Sequence, residues 1–304
     1  MAPGALSCPL ERSLSITFRG GRLAPVPSKP RLNLAGLLAA APTPPESVDW
    51  YSRVTAWPMF MNNELGCCTE AMVGHAIQNT STYGDGATAT ITDDEMLAAY
   101  ERVSGYRPGH PETDNGAVLQ DVFNDWRKDG VGGHRALAFG EVKVTNRDQI
   151  KTAINTFGAL GLGLTVTQQM MDDFNAGRGW SRAGGRQLGG HAVVAVGYTP
   201  DGVYVVTWGE VVLMTWQVFN RVVEEAWAAI LNEWINDSSL ADPLGASLYE
   251  LGEELAGLTG GANPFPLPEP TPTPAPGDGP LVELAGLLRQ CWASVEAWLN
   301  KHGL

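Results

Sequence analysis

The spacing of apolar residues changes along the chain, and each change marks a different kind of segment. Residues 1–46 carry scattered prolines, few periodic apolar positions and the breaker cluster Ala41-Pro42-Thr43-Pro44-Pro45, so they predict an extended N-terminal arm with room for a short helix over 32–40. From 47 to 235 the pattern becomes that of a folded domain. Ala71, Met72, His75 and Ala76 recur at helical spacing behind the turn residue Gly66 and predict a helix over 68–83. Thr92, followed by Asp93, Asp94 and Glu95, predicts a capped and acidic first turn for a helix running to 102. A third helix is expected over 117–128, stopping before Gly130. After Gly140 strand patterns take over, at 141–144, 160–167, 191–198 and 202–208. Thr199-Pro200-Asp201-Gly202 is a tight hairpin signal between the last two. A helix over 216–231 closes the domain, and helices first with strands later predict an α+β fold of two subdomains.

The C-terminal region differs in kind. Leu244, Leu248, Leu251, Leu255 and Leu258 repeat at helical spacing and mark a helical extension over 236–263. Residues 264–280 form a proline-rich linker, with Pro at alternate positions up to Pro276, which favours a semi-rigid polyproline spacer. Residues 281–304 place Leu281, Leu284, Leu288, Cys291, Val295 and Trp298 on one seam of an amphipathic helix. A helix tethered in this way either packs back onto its parent domain or docks elsewhere, as a homo-oligomer or onto a virion partner.

Composition narrows the partners. With 33 acidic against 20 basic side chains in 304 residues, the formal charge of -13 repels phosphate backbones and anionic membrane surfaces, so neither nucleic acid nor membrane is expected as a partner. No apolar run is long enough to span a bilayer, since even the Leu-rich C-terminal stretch carries Glu283, Arg289 and Glu296. The N-terminus MAPGALSCPLERSL lacks the basic head and apolar core of a secretory signal, which predicts a cytoplasmic protein. Cys8 and Cys291 sit in the tails and Cys67 and Cys68 are neighbours, a distribution that predicts no structural disulfide. His75 lies along the helix from Cys68, but no second Cys or His pair stands at zinc spacing, so no metal and no cofactor are expected. Gly161-x-Gly163 lies inside a strand without a phosphate-binding continuation and reads as packing.

Two segments carry chemistry. Asn62-Asn63-Glu64-Leu65-Gly66-Cys67-Cys68 delivers a thiol to the start of a helix, and Gly189-Gly190-His191-Ala192-Val193-Val194 carries an imidazole into an apolar strand. A thiol attacks an acyl carbon as thiolate, and a helix N-terminus and a neighbouring imidazolium both lower a cysteine pKa. Cys68 can have both, His191 can protonate a leaving amine, and Asn62, or alternatively Asn63, can offer a side-chain amide to an oxyanion. Which of the adjacent thiols Cys67 and Cys68 reacts stays open at this level.

Over roughly 47–235 the chain resembles the papain family of cysteine peptidases. Val48-Asp49-Trp50 is similar to the start of the mature enzymes, and Leu65-Gly66-Cys67-Cys68-Thr69 stands in place of the Cys-Gly-Ser-Cys-Trp signature. Gly189-Gly190-His191-Ala192-Val193 resembles the segment around the family's histidine, and Thr207-Trp208-Gly209 its Asn-Ser-Trp-Gly segment. The same motifs are similar to a group of uncharacterised bacterial and bacteriophage proteins. The resemblance implies a helical half and an antiparallel sheet half, with Cys68 as nucleophile, His191 as acid and base, Asn62 at the oxyanion and Thr207 orienting the histidine. It implies a substrate-binding cleft formed by Asn115, Gly116, Gly190 and Trp208, and a peptide or protein substrate. Thr207 stands where the family has an asparagine, Thr69 where it has a tryptophan, and Asn62 where it has a longer glutamine. Two readings follow: a thiol hydrolase that cleaves an amide through an acyl-enzyme, or an inactive papain-fold binding or structural protein, such as a virion component. The arm before Ser47 is placed to cover the cleft or to serve assembly.

Overall fold

The computed structural model of the protein describes residues 15–41 and 43–234, together with Tyr249, Gly252, Glu253, Ala256, Ala262 and Asn263. The proline-rich linker 264–280, the amphipathic helix 281–304 and most of the extension 236–263 lie outside the described residues.

In chain order the elements are β1 (Arg22–Leu23), α1 (Ala35–Ala40), β2 (Val48–Asp49), α2 (Cys68–Gly84), α3 (Asp93–Ser104), β3 (Ala117–Val118), α4 (Leu119–Lys128), β4 (Ala136–Glu141), α5 (Arg147–Phe157), β5 (Leu160–Thr167), α6 (Gln168–Asn175), β6 (Gln187–Tyr198), β7 (Gly202–Thr207), β8 (Glu210–Thr215), α7 (Trp216–Val222) and β9 (Val223–Leu231). The main sheet is antiparallel, ordered β4-β9-β5-β6-β7-β8, with the short β2 pairing on β6.

The sheet lies between two cores. Along β6, Val193 and Ala195 belong to one buried cluster, with residues of α5, α6 and α7, while Ala192, Val194 and Val196 belong to another, with residues of α2 and α4. Both faces are covered, so the strands read as continuous apolar runs rather than as alternating ones. Helix α2 is buried from Cys68 to Thr82, and its hydroxyls bond back to its own turns, Thr80 Oγ1 to Ala76 O at 2.9 Å and Thr82 Oγ1 to Gln78 O at 2.7 Å. Helix α3 starts as its sequence predicts, with Thr92 and Glu95 closing a reciprocal capping box.

Several expectations are corrected. The helix expected over 216–231 breaks after Val222, and the second half becomes β9, a strand held between β4 and β5. The helix expected from 117 begins only at Leu119, because Ala117 and Val118 are taken by β3. The strand expected at 141–144 lies earlier, over Ala136–Glu141. Helices α5 and α6 and strand β8 add elements that the hydrophobic pattern did not announce.

The arm lies on the domain. Its β1 pairs in parallel with β3, with Arg22 opposite Ala117 and Leu23 opposite Val118. No described helix is long and apolar enough to cross a membrane.

Candidate active site

The turn before α2 is built to present sulfur. Gly66 N–H donates to both carboxylate oxygens of Asp114, at 3.0 and 3.1 Å, which fixes the peptide that leads into Cys67 and Cys68. Cys67 occupies the N-cap position and its thiol donates to Phe60 O at 3.3 Å. The two thiols therefore face different surroundings. Cys68 is fully buried, and the backbone amides of Ala192 and Gly21 address its sulfur. Burial pushes the Cys68 thiol up to about 12, against the pull of those amides, and it raises Cys67 further still.

The Cys67 to Phe60 bond also fastens the loop that carries Asn62. Phe60 and Met61 adopt left-handed backbone, with φ of 50° and 56°, and Asn62 N–H closes the turn onto Met59 O at 3.1 Å. Asn62 is 3% exposed, and its Oδ1 has no partner among the described residues. His75 holds the same loop, its Nε2 bonded to Pro58 O at 2.7 Å between the rings of Trp57 and Phe60. Burial drives this imidazole down to about 4, so it is a neutral core residue. Among the described residues no cluster of His, Cys, Asp or Glu has the makings of a metal site.

His191 is placed by two neighbours. Its Nε2 lies 2.8 Å from Thr207 Oγ1, and its ring stacks on Trp208 at 4.4 Å between centroids and 13° between planes. Trp208 reaches that position because it and Gly209 form a two-residue turn between β7 and β8 with φ of 45° and 75°. Positive φ at both positions is the condition for a type I′ turn, and it is costly for a tryptophan. The remaining ring nitrogen, Nδ1, is buried and has no hydrogen-bond partner among the described residues. Burial first, and the nearby Arg22 charge second, lower the His191 pKa to about 3. Thiol and imidazole are thus both neutral in the present arrangement.

The arm explains their burial. Gly21 N–H donates to Gly190 O at 3.2 Å, and Ala117 N–H donates to Gly21 O at 2.8 Å, so a stretch of the chain's own backbone lies in the cleft between the two predicted walls. The fit requires glycine: a Cβ on Gly21 would meet Gly66 O at 1.8 Å, and one on Gly116, whose φ is +77°, would meet Gly21 O at 2.1 Å. Phe18 packs edge-on against both His191 and Trp208, with centroids 6.1 and 6.3 Å away. Beyond the glycines, Arg22 is buried, with Nη1 on Glu225 Oε1 at 2.7 Å and Nη2 on Glu224 Oε2.

The residues singled out in the sequence therefore divide. Cys68, His191, Thr207, Trp208, Gly116 and Gly190 converge around the arm, and Asn62 sits on the loop tied to the start of α2. Asn115 does not join them, because it is exposed and its Nδ2 bonds Glu112 O at 3.2 Å within its own turn. Sequence reasoning missed Asp114 as the pin of the nucleophile turn, and it missed Arg22, Glu224 and Glu225. Two adjacent glutamates inside an apolar stretch were the available signal, since in a strand one of them must face inward.

Glu70, in the first turn of α2, was also missed. It is fully buried, accepts from Thr69 Oγ1 at 2.6 Å, and burial pushes its carboxyl up to about 8. Near neutral pH it therefore keeps its proton and sets no full negative charge beside the sulfur.

No family model matches the sequence. No curated protein matches it either. Solved structures do resemble it. Xylellain, a cysteine protease from Xylella fastidiosa, aligns with a TM-score of 0.54 at 14% identity, over 73% of this chain and 99% of xylellain. Procathepsin B S9 from Trypanosoma congolense gives 0.49 at 14% identity, over 70% and 86%, and the Carica candamarcensis cysteine protease CMS1MS2 gives 0.47 at 17%, over 61% and 98%. An antiparallel sheet packed by helices on both faces and the near-complete coverage of xylellain lead to one conclusion: this chain has the α+β fold of the papain-like cysteine proteases.

Proposed function

We propose that the protein is a thiol hydrolase that cleaves an amide bond in a peptide or protein substrate. The carrying observation is the setting of Cys68: a sulfur at a helix start, addressed by the amide of Ala192, the residue that follows a histidine whose Nε2 is held by Thr207 and whose Nδ1 has no partner among the described residues. In the reaction, the Cys68 proton passes to His191 as sulfur bonds to the substrate carbonyl carbon. Collapse of the tetrahedral intermediate breaks the C–N bond, and the imidazolium gives its proton to the leaving amine. Water, deprotonated by His191, then hydrolyses the thioester and restores the thiol. Asn62 serves the oxyanion, and Gly190 O and Ala117 N–H hold the substrate backbone as they hold Gly21, with Gly116 leaving room for its close approach.

The arm is the resident inhibitor on this reading. It removes water from the pair, and a neutral thiol beside a neutral imidazole is the form that does not attack. A second reading is that of a cleft permanently filled by its own arm in a binding or structural protein, and the complete burial of Cys68 favours it.

One experiment separates them. Full-length Gly21→Val protein, whose arm no longer fits, is treated with iodoacetamide at pH 6 and the site of modification read by mass spectrometry. The hydrolase reading expects selective labelling of Cys68 far faster than of a free thiol, and loss of that advantage when His191→Ala is added. Labelling at the rate of an ordinary thiol would exclude it.

A further inference from the structure

The chain ahead of the domain is held in two different ways, and the change falls at an exposed turn. Residues 15–23 hold the cleft mainly by polar contacts. Asn175 grips Ile16 on both sides, accepting from its N–H at 2.9 Å and donating from Nδ2 to its O at 3.0 Å. Gly21 and Arg22 add the backbone bonds and the paired glutamates already described. The apolar members of this stretch, Ile16 and Phe18, are half-buried and pack against the core from outside. Leu23, at its end, is exposed.

Residues 29–40 are built into the sheet domain instead. Glu141 N–H donates to Leu32 O at 2.7 Å and Leu34 N–H to Glu141 O at 3.0 Å, so this stretch extends the sheet at the end of β4. Arg31 pairs with the Glu141 carboxylate at 2.6 Å, Lys29 pairs with Asp121, and Gln120 Nε2 donates to Pro30 O at 2.5 Å. Leu34 and Leu38 are each 5% exposed and belong to the same buried cluster as Ile150 and Ile154 of α5. The domain leaves room for Leu34: a Cβ on Gly140 would lie 2.7 Å from its Cγ and Cδ2. Between the two stretches, residues 24–28 carry Pro25 and Pro27. Among the described residues their only hydrogen bonds are those that Val26 O accepts from Lys29 N–H and Arg31 Nη2.

We infer that the arm is two devices joined by a hinge: 15–23 is a plug that leaves the cleft as a unit, 29–40 is a permanent strap of the domain, and the cleft opens by a swing about 24–28. Lifting the plug breaks hydrogen bonds and ion pairs that water can replace, and it takes no apolar side chain out of the core. Lifting the strap empties the sites of two buried leucines, which forfeits both their transfer out of water and their many close contacts. A hinge of five residues spans at most roughly 17 Å. A displaced plug therefore stays near its groove at an effective concentration of about millimolar, and its return is intramolecular. The two prolines lack N–H donors and hold the hinge extended, so neither sheet pairing of the arm continues through it. This boundary differs from the one that the similarity of Val48-Asp49-Trp50 to a mature N-terminus suggests, because a chain begun at Val48 would lack Leu34 and Leu38. The division concerns the arm alone and holds whether or not Cys68 turns over a substrate.

Hydrogen exchange read by mass spectrometry on the full-length protein tests the division. In Gly21→Val, the amides of 15–23 are expected to exchange at least about tenfold faster, while those of 29–40 and β4 stay within a factor of about two of the unsubstituted protein. In Leu34→Ala, the unfolding equilibrium measured in urea should rise about thirtyfold or more, the scale of a leucine-sized cavity. Residues 29–40 should then lose protection together with β4 and α5. Loss of protection over 29–40 in Gly21→Val would reveal one undivided arm and overturn the proposal. So would retained protection over 15–23 in that variant, or a Leu34→Ala protein as stable as the unsubstituted one. Should Gly21→Val fail to fold, Arg22→Ala removes the ion pairs of the plug without adding a side chain, and the same outcomes apply. Should Leu34→Ala fail, Leu34→Val leaves a smaller cavity, with an expected rise of about fivefold. None of these readouts depends on the chemistry of Cys68, so failure of the hydrolase reading leaves them intact.

Discussion

His191 Nε2 and Thr207 Oγ1 lie 2.8 Å apart in a site where neither residue reaches water, His191 being 0% and Thr207 2% exposed. The bond sets the tilt of the imidazole and leaves Nδ1 as the nitrogen without a partner. Thr207→Val keeps the side-chain shape and strands Nε2. The expected cost is about 1–3 kcal/mol, the usual penalty for a buried polar group left unmade. Urea denaturation measures it, and in the Gly21→Val background the alkylation rate of Cys68 should fall together with stability.

Gly21→Val should behave as an arm-release variant. The added side chain would run into Gly66 O, and neither backbone can move without breaking the bonds of Gly21 to Gly190 and Ala117. Limited proteolysis should cut the chain ahead of Ser47 much faster than in the unsubstituted protein, while cleavage within 47–234 stays slow. Unchanged protection of the arm would count against the fit described for it.

The adjacent thiols should separate cleanly. Cys68→Ser is expected to abolish turnover, because a serine hydroxyl lacks the low pKa and polarisability of sulfur. Cys67→Ala removes only the bond to Phe60 O, at an expected cost of about 1 kcal/mol. Turnover should persist in that variant, with a higher KM if the loop bearing Asn62 loosens. Peptide turnover by the two variants in the arm-released background is the measurement, and activity that follows Cys67 would reverse the assignment.

Glu70 predicts a pH dependence of stability with a definite sign. Its carboxyl ionises near the ordinary value of 4.5 in the unfolded chain and near about 8 in the folded one. Between those values the folded state holds the extra proton, so stability is greatest at the acidic end and declines as pH rises through this window. The loss is on the order of 5 kcal/mol by pH 9 for a shift of this size. Glu70→Gln, which cannot ionise, should flatten this part of the curve and make the protein more resistant to urea at pH 9. A slope unchanged by the substitution would show that another group carries it.

Much of this arrangement was legible in the sequence, for reasons that differ by segment. Leu160–Thr167 reads as a strand because large apolar residues alternate with glycine and threonine over strand length, and α3 is announced by Thr92 and the acids behind it. The nucleophile helix and the histidine strand carry glycines that open their turns, and those glycines are where the arm later fits. Strand β9 was not legible. Its residues Val223–Leu231 are buried at all but one position, so the alternation that identifies a strand is absent, and Glu, Ala and Leu favour a helix locally. Pairing with β4 and β5 overrides that preference. Misreading β9 as helix also concealed the pairing of Arg22 with Glu224 and Glu225. Strand β8 escaped notice because its turn is made by Trp208, a residue that rarely accepts positive φ and gives no turn signal.

Asp114 also links parts of the cleft that belong to different stretches of chain. Its carboxylate receives Gly66 N–H from the turn of the nucleophile and Tyr100 OH at 2.5 Å, while Tyr100 OH in turn receives Gly116 N–H at 3.0 Å from the segment that grips the arm. One side chain therefore couples the nucleophile turn to the segment that grips the arm. An alteration at Asp114 reaches the nucleophile turn and the peptide-gripping edge together, so altered preference and altered reactivity are inherited as a single trait.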